Sequence, residues 1–265
     1  MIKLIVSDVD GTLVPEGTND INPELFTLIR RLKAQGVYFT VASGRHKCSI
    51  EKLFAPVRED IFYITSNGAY IGTCREKLAV SSLPENVCQQ LFSDFAALNP
   101  YPFVAESADA AYTVCPDPEF TRILTEDYGY NMTRCSSTDD FSDDIIKFSL
   151  YHPENVLNFD KELLKNWNKI CKCSVSGTHW IDFIPQEANK GSALALLQES
   201  LGITIQETIA FGDQANDIEM LKQAYFSHAM GNAGCTVKNA ARFTCDSVEN
   251  GGVLKVLNAF FPTTE

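Results

Sequence analysis

Four short polar clusters hold the residues best suited to chemistry. The first is Asp8-Val9-Asp10-Gly11-Thr12. Two carboxylates two residues apart, where an apolar run opens into a loop, can approach one point, and they repel there unless a cation or a shared proton relieves them. That suits an Asp nucleophile with a neighbouring acid/base and a metal to neutralise the pair; the same pattern also builds a plain Asx-turn. Ser43-Gly44-Arg45 offers a hydroxyl and free amides ahead of a helix, either an anion cradle or a simple cap. Asn189-Lys190-Gly191 puts a cation at a helix start, where the helix dipole disfavours it unless an anion is held nearby. Gly212-Asp213-Gln214-Ala215-Asn216-Asp217 gathers two acids and an amide where another helix begins. Such oxygens suit a hard cation such as Mg²⁺, and the same residues can cap the helix. His46, His152, His179 and His228 are scattered without metal-ligand spacing, and Cys171 and Cys173 lack a second ligand pair, so all six read as structural.

The elements around these clusters explain why they should meet. Ile2 to Val6 is an apolar run ending at Asp8, as expected of a buried parallel strand. Asn22-Pro23 starts a helix with Asn as cap, and Leu25, Leu28, Ile29 and Leu32 form its apolar stripe. Strands follow at 37–41 and 61–65, with a short helix between them. From Lys190 the same alternation resumes: a helix to Leu201, a strand at 208–211, a helix bearing Met220 and Leu221, a strand at 226–230 and a last helix over 251–260. Strands alternating with amphipathic helices predict a Rossmann-like parallel sheet. In such sheets ligands bind outside the carboxyl ends of the strands, where the four clusters fall.

The middle of the chain has a different rhythm. Helices over 85–98, 117–128 and after Pro153 mix with strands near Phe103 and Tyr112 and at 145–151, 172–176 and 180–184. This reads as an α+β unit with antiparallel strands, bounded by Pro84 and Pro185. The expected organisation is a discontinuous α/β core, residues 1–82 and 186–265, with an inserted domain over 83–185.

Composition narrows the partners. The 265 residues are 45% hydrophobic and 21% charged, which describes a globular chain and excludes collagen, coiled coil and wholesale disorder. A net charge of −12 opposes nucleic acid as a partner, because a phosphate backbone calls for a basic face. An anionic ligand would need a local cation, helix N-terminus or metal. No apolar run reaches the roughly 18 residues of a membrane span. The opening MIKLIVSDVDGT has no signal-peptide pattern, and the nine cysteines contain no CxxC pair, so reduced thiols in the cytoplasm are expected.

Taken in order, DVDGTLV (8–14), ASGR (42–45), Lys190 and GDQANDIEM (212–220) resemble the haloacid dehalogenase superfamily of Mg²⁺-dependent phosphohydrolases. About a hundred residues inserted after the second motif, with SNGA (66–69), AMGNA (229–233) and ENGGV (249–253), resemble its Cof-type subgroup with a large α/β cap (type IIB). The resemblance implies that Asp8 is the nucleophile and forms an aspartyl phosphate, with Asp10 as general acid and base. It implies Mg²⁺ held by Asp8, the Asp10 main-chain carbonyl and Asp213, with Asp217 nearby. Ser43, the Gly44 amide, Lys190 and Asn216 would hold the phosphoryl oxygens. The expected substrates are small phosphate esters, sugar phosphates foremost, with leaving-group choice left to the cap. A phosphomutase and a phosphometabolite-binding protein with weak catalysis remain alternatives. Tyr112, His179 and Trp180 could reach a substrate pocket but read more simply as cap core or surface.

Overall fold

The computed structural model describes residues 1–98, 101–159, 161–176 and 178–262. In chain order the first core segment contains β1 (Leu4–Ser7), α1 (Glu24–Ala34), β2 (Tyr38–Ala42), α2 (Lys47–Leu53), β3 (Ile61–Thr65), β4 (Tyr70–Gly72) and β5 (Lys77–Val80). The middle contributes α3 (Glu85–Ala97), β6 (Phe103–Glu106), β7 (Ala111–Thr113), α4 (Pro118–Arg122), β8 (Met132–Arg134), β9 (Lys147–Tyr151), α5 (Lys161–Trp167), β10 (Lys172–Ser176) and β11 (Trp180–Ile184). The second core segment adds α6 (Lys190–Leu201), β12 (Thr208–Gly212), α7 (Ile218–Lys222), β13 (Phe226–Ala229), α8 (Cys235–Ala240), β14 (Phe243–Thr244) and α9 (Gly252–Phe260). Residues 263–265, the end of the expected second core segment, lie outside the described residues.

The core is one sheet in the order β14-β13-β12-β1-β2-β3-β4-β5, parallel from β14 through β3. Its strands alternate between two buried faces. Ile5, Phe39, Val41 and Phe211 pack under α1 and α9, while Leu4, Val6 and Ala210 pack under α6, α7 and α8. Helices on both faces require strands apolar throughout, which is why β1 and β12 read as unbroken hydrophobic runs. The antiparallel pair β4–β5 at the sheet edge was not expected from the sequence; three- and four-residue strands carry too little period to register. The same holds for β8 and β14.

The cap sheet runs β10-β11-β9-β6-β7-β8 and is antiparallel apart from β7–β8. Phe103, Ala105, Phe148, Leu150, Ile181 and Phe183 face α3 and α5 and close a hydrophobic core around Phe95 and Trp167. Phe95 makes edge or tilted ring contacts with Phe103, Phe148, Trp167 and Phe183. Because side chains in a strand alternate, the intervening residues Val104, Glu106, Lys147, Ser149, Trp180 and Asp182 occupy the opposite face.

Boundaries shift locally for identifiable reasons. Asn22 does accept a hydrogen bond from the Glu24 amide, at 3.0 Å, but the helical bonds begin one residue later than expected, at Glu24. The single helix expected over 117–128 is capped by Asp117 as α4 and then widens into a π-turn over Ile123–Asp127. No described helix is long and apolar enough to cross a membrane.

Phe95→Ala removes the ring on which the cap core converges. It should cost roughly 3–5 kcal/mol of cap stability, read as a lower denaturation midpoint in urea.

Candidate active site

β1 and β12 lie side by side, so the loops after them leave the sheet together. Asp8 follows β1 and Asp213 follows β12. The turn after β1 is closed by Gly11 N–H donating to the Val14 carbonyl, with Gly11 at φ +80°. A Cβ on Gly11 would sit 2.2 Å from Asp213 Oδ2, so only glycine lets the two loops touch here. Thr12 Oγ1 donates to Asp213 Oδ1 at 2.8 Å, and the Asn232 amide donates to the Gly11 carbonyl at 2.8 Å. Both contacts join loops about two hundred residues apart in sequence.

Lys190, the first residue of α6, is 1% exposed, and its ammonium donates to Asp8 Oδ1 at 2.5 Å and Asp217 Oδ1 at 2.7 Å. The other Asp217 oxygen accepts the Asp213 and Gln214 amides, each at 3.0 Å. Asp8, Asp213 and Asp217 each bring a carboxylate oxygen within 4.8 Å of the others. Burial, then Asp217, pushes the Asp8 carboxyl well above the usual range despite Lys190. Burial likewise raises Asp213 to about 6. Burial alone would lower the Lys190 ammonium, but Asp217 and Asp8 raise it overall.

This donor set fits a divalent ion. Three carboxyl groups share one ammonium, more acidic groups than that cation can neutralise, and an all-oxygen cluster is what a hard cation takes. Asp217 already gives both oxygens to Lys190 and backbone amides; Asp213 accepts Thr12 at Oδ1 but only long contacts, 3.4 and 3.5 Å, at Oδ2, and Asp8 Oδ1 accepts Lys190.

Asp10 is held differently. Its carboxylate is not in this cluster but is clamped by Arg45, with Nη2 2.6 Å from Oδ1 and Nε 3.0 Å from Oδ2. Arg45 is itself steadied by Asn19 and the Thr18 carbonyl. Any metal contact from Asp10 is thereby confined to its main-chain carbonyl. Nothing in the sequence spacing signals this clamp, which joins residues 35 apart.

Asp8, Asp10, Gly44 and Asn216 line one cavity of about 420 Å³ between core and cap. Ser43 is fully buried behind it, and its hydroxyl accepts the Arg45 amide at 3.1 Å. The loop after β3 joins these parts. Ser66 and Asn67 have φ of +48° and +56°, a strain that non-glycine residues bear mainly at functional sites. Asn67 donates its amide N–H to the Ser43 carbonyl, accepts from Asn216 at 3.0 Å and reaches Asp182 of the cap at 3.4 Å. A Cβ on Gly68 would meet the Asn189 carbonyl at 2.3 Å, so this loop also abuts the start of α6.

The cap completes the cavity with Glu106, Lys147, Asp182 and Trp180. Trp180 therefore faces it, whereas Tyr112 is buried in the cap core and His179 points its Nδ1 at the His152 carbonyl. His46 ties core to cap: its Nδ1 accepts the Cys48 amide, which leaves Nε2 to donate to the Ser107 carbonyl at 2.8 Å. Sequence reasoning missed Thr12, Asn232 and the cap charges; the strand alternation KFSLY and WIDFI was the available signal for the last.

Comparison with known proteins agrees with this layout. The 5-amino-6-(5-phospho-D-ribitylamino)uracil phosphatase YbjI of Escherichia coli (strain K12) is 28% identical over 258 residues, covering 97% of this chain and 95% of that protein. The HMP-PP phosphatase of Serratia proteamaculans is 26% identical, covering 88% and 85%. A solved structure from Eubacterium rectale superposes with a TM-score of 0.87 at 34% identity, covering 98% of this chain and 99% of that one. A subclass IIB sugar phosphatase does so at 0.79 and 25%, covering 97% and 98%. The family model for haloacid dehalogenase-like hydrolases matches residues 5–257, and the chain belongs to that family as a phosphoric monoester hydrolase.

Proposed function

We propose that the protein is a Mg²⁺-dependent phosphatase of small phosphorylated metabolites, sugar phosphates foremost, working through an aspartyl phosphate on Asp8. The observation that carries this reading is Asp8 itself: a cavity-lining carboxylate braced by a buried ammonium and flanked by Asp213. The named substrate of one relative, a phosphorylated ribityl chain on a uracil, is of the same general kind.

Phosphoryl transfer is mostly positioning and charge neutralisation. Mg²⁺ held by Asp8, the Asp10 carbonyl and Asp213, with Asp217 behind them, would supply much of that neutralisation. The Asp8 carboxylate attacks phosphorus, and the bond to the ester oxygen breaks. Lys190, the Gly44 amide, Ser43 and Asn216 hold the phosphoryl oxygens; Asn216 has one amide hydrogen left after bonding Asn67. Asp10 gives a proton to the departing alkoxide, then takes one from the water that opens the acyl phosphate. To do so it must swing off the Arg45 guanidinium that clamps it here at 2.6 Å. The cap, which we take as residues 83–185 between core segments 1–82 and 186–265, closes over the ester and excludes bulk water.

Asp8→Asn should abolish phosphate release while circular dichroism and thermal melting still report a folded protein. Treatment of the wild type with EDTA should remove the activity and added Mg²⁺ restore it, followed by colorimetric phosphate release; activity that survives chelation would sink the metal requirement. Lys190→Met should cost on the order of 2–4 kcal/mol of transition-state stabilisation, by analogy with removing one oxyanion donor. That loss would appear as a fall of roughly thirty- to a thousand-fold in kcat/KM.

A further inference from the structure

The cap face that looks onto Asp8 is unusual for a sheet interior. Glu106, Lys147 and Asp182 are 0%, 3% and 2% exposed, yet they come from three adjacent strands. Glu106 stands opposite Lys147 in register, and Asp182 opposite Ser149. Lys147 Nζ lies 3.0 Å from Glu106 Oε1 and 3.8 Å from Asp182 Oδ2, and donates to the Gly44 carbonyl of the core at 3.2 Å. Tyr130 also donates to Glu106 Oε1, at 3.1 Å, while Ser149 gives its one hydroxyl hydrogen to Asp182 Oδ1 at 2.7 Å and lies 3.4 Å from Glu106 Oε1. None of these donors reaches the other Glu106 oxygen. Glu106 Oε2 is buried with no hydrogen-bond partner.

A buried carboxylate oxygen without a donor is expensive, and native structures rarely leave one so. A purely structural ion pair would satisfy both oxygens. Here the leftover acceptor belongs to a residue that lines the substrate cavity. The charge balance of that cavity is also one-sided. Asp8, Asp10, Glu16, Glu106 and Asp182 line it, against Arg45 and Lys147 as its only cations among the described residues. Both cations are already paired, Arg45 with Asp10 and Lys147 with Glu106. A second anionic group on a ligand would find no unpaired cation at the cap end, whereas a hydroxyl or amine would find a waiting acceptor.

We propose that the cap-sheet face bearing Glu106, Lys147, Ser149 and Asp182 is a leaving-group subsite that accepts hydrogen-bond donors, an uncharged polyol or an amine, and rejects a leaving group carrying a second negative charge. Glu106 reads the donor through Oε2. Lys147 positions Glu106 and couples the subsite to the Gly44 loop that would hold the phosphoryl group. Trp180, on the same face, supplies an apolar wall beside the polar floor. This rests on the phosphatase reading of the same cavity.

The test uses the full chain with Mg²⁺ and two esters of one carbon skeleton: sorbitol 6-phosphate, ending in a hydroxymethyl group, and 6-phosphogluconate, ending in a carboxylate. The wild type should favour the first by about tenfold or more in kcat/KM, the scale on which a pocket's polar complementarity discriminates. Glu106→Gln, which removes the charge at nearly constant shape, should shrink that ratio severalfold. Asp182→Asn should shift it the same way and carries the test if the first variant does not fold. A wild-type ratio near one, or a ratio unchanged in both folded variants, overturns the subsite. Acetyl phosphate, too small to reach the cap floor, separates the two readings. Its hydrolysis by wild type alongside a ratio near one would fell the subsite and leave the catalytic reading standing. No hydrolysis of acetyl phosphate or of either ester would fell both.

Discussion

One buried ammonium sets the terms for the rest of the molecule. Lys190 bridges Asp8, from the loop after β1, and Asp217, from the loop after β12, although 182 and 27 residues separate it from them. Removing one member of such a pair leaves an uncompensated buried charge, at a cost of about 3–5 kcal/mol. The sheet order follows the same requirement, since only β1 beside β12 brings the Asp8 and Asp213 loops together. Charge is the reason this arrangement is poised: the carboxylates outnumber the ammonium, so the site has spare attraction for a cation.

Around that pair the backbone is shaped for close approach. Gly11 lets the first loop touch Asp213. The strained Ser66-Asn67 turn spends local energy to put one amide side chain among three loops and the cap. The result is a rim in which the phosphate-side residues, the start of α6 and the cap share hydrogen bonds. Cap and core are thus tied together through Asn67–Asp182, Lys147–Gly44 and His46–Ser107.

The cap divides its labour between the two faces of one sheet. Aromatic rings fill the face under α3 and α5 and give the domain its stability. The other face carries buried charge, which weakens a fold unless it serves recognition or specificity. That face closes the cavity over Asp8, together with core residues such as Gly44 and Asn216.

Much of this architecture was legible in the chain because its signals are local. Buried parallel strands read as continuous apolar runs, α1 as an amphipathic stripe, and strand ends marked where polar clusters would gather. The α/β core and the inserted α+β region follow from a change in periodicity that needs no distant contact. Tertiary structure alone decided which distant groups face each other. The Arg45 clamp on Asp10, the Thr12–Asp213 bond and the unpartnered Glu106 oxygen depend on sheet order, strand register and the seating of the cap. Those are set by packing summed over the whole chain, whereas a residue's spacing in sequence records only the face of its own strand or helix.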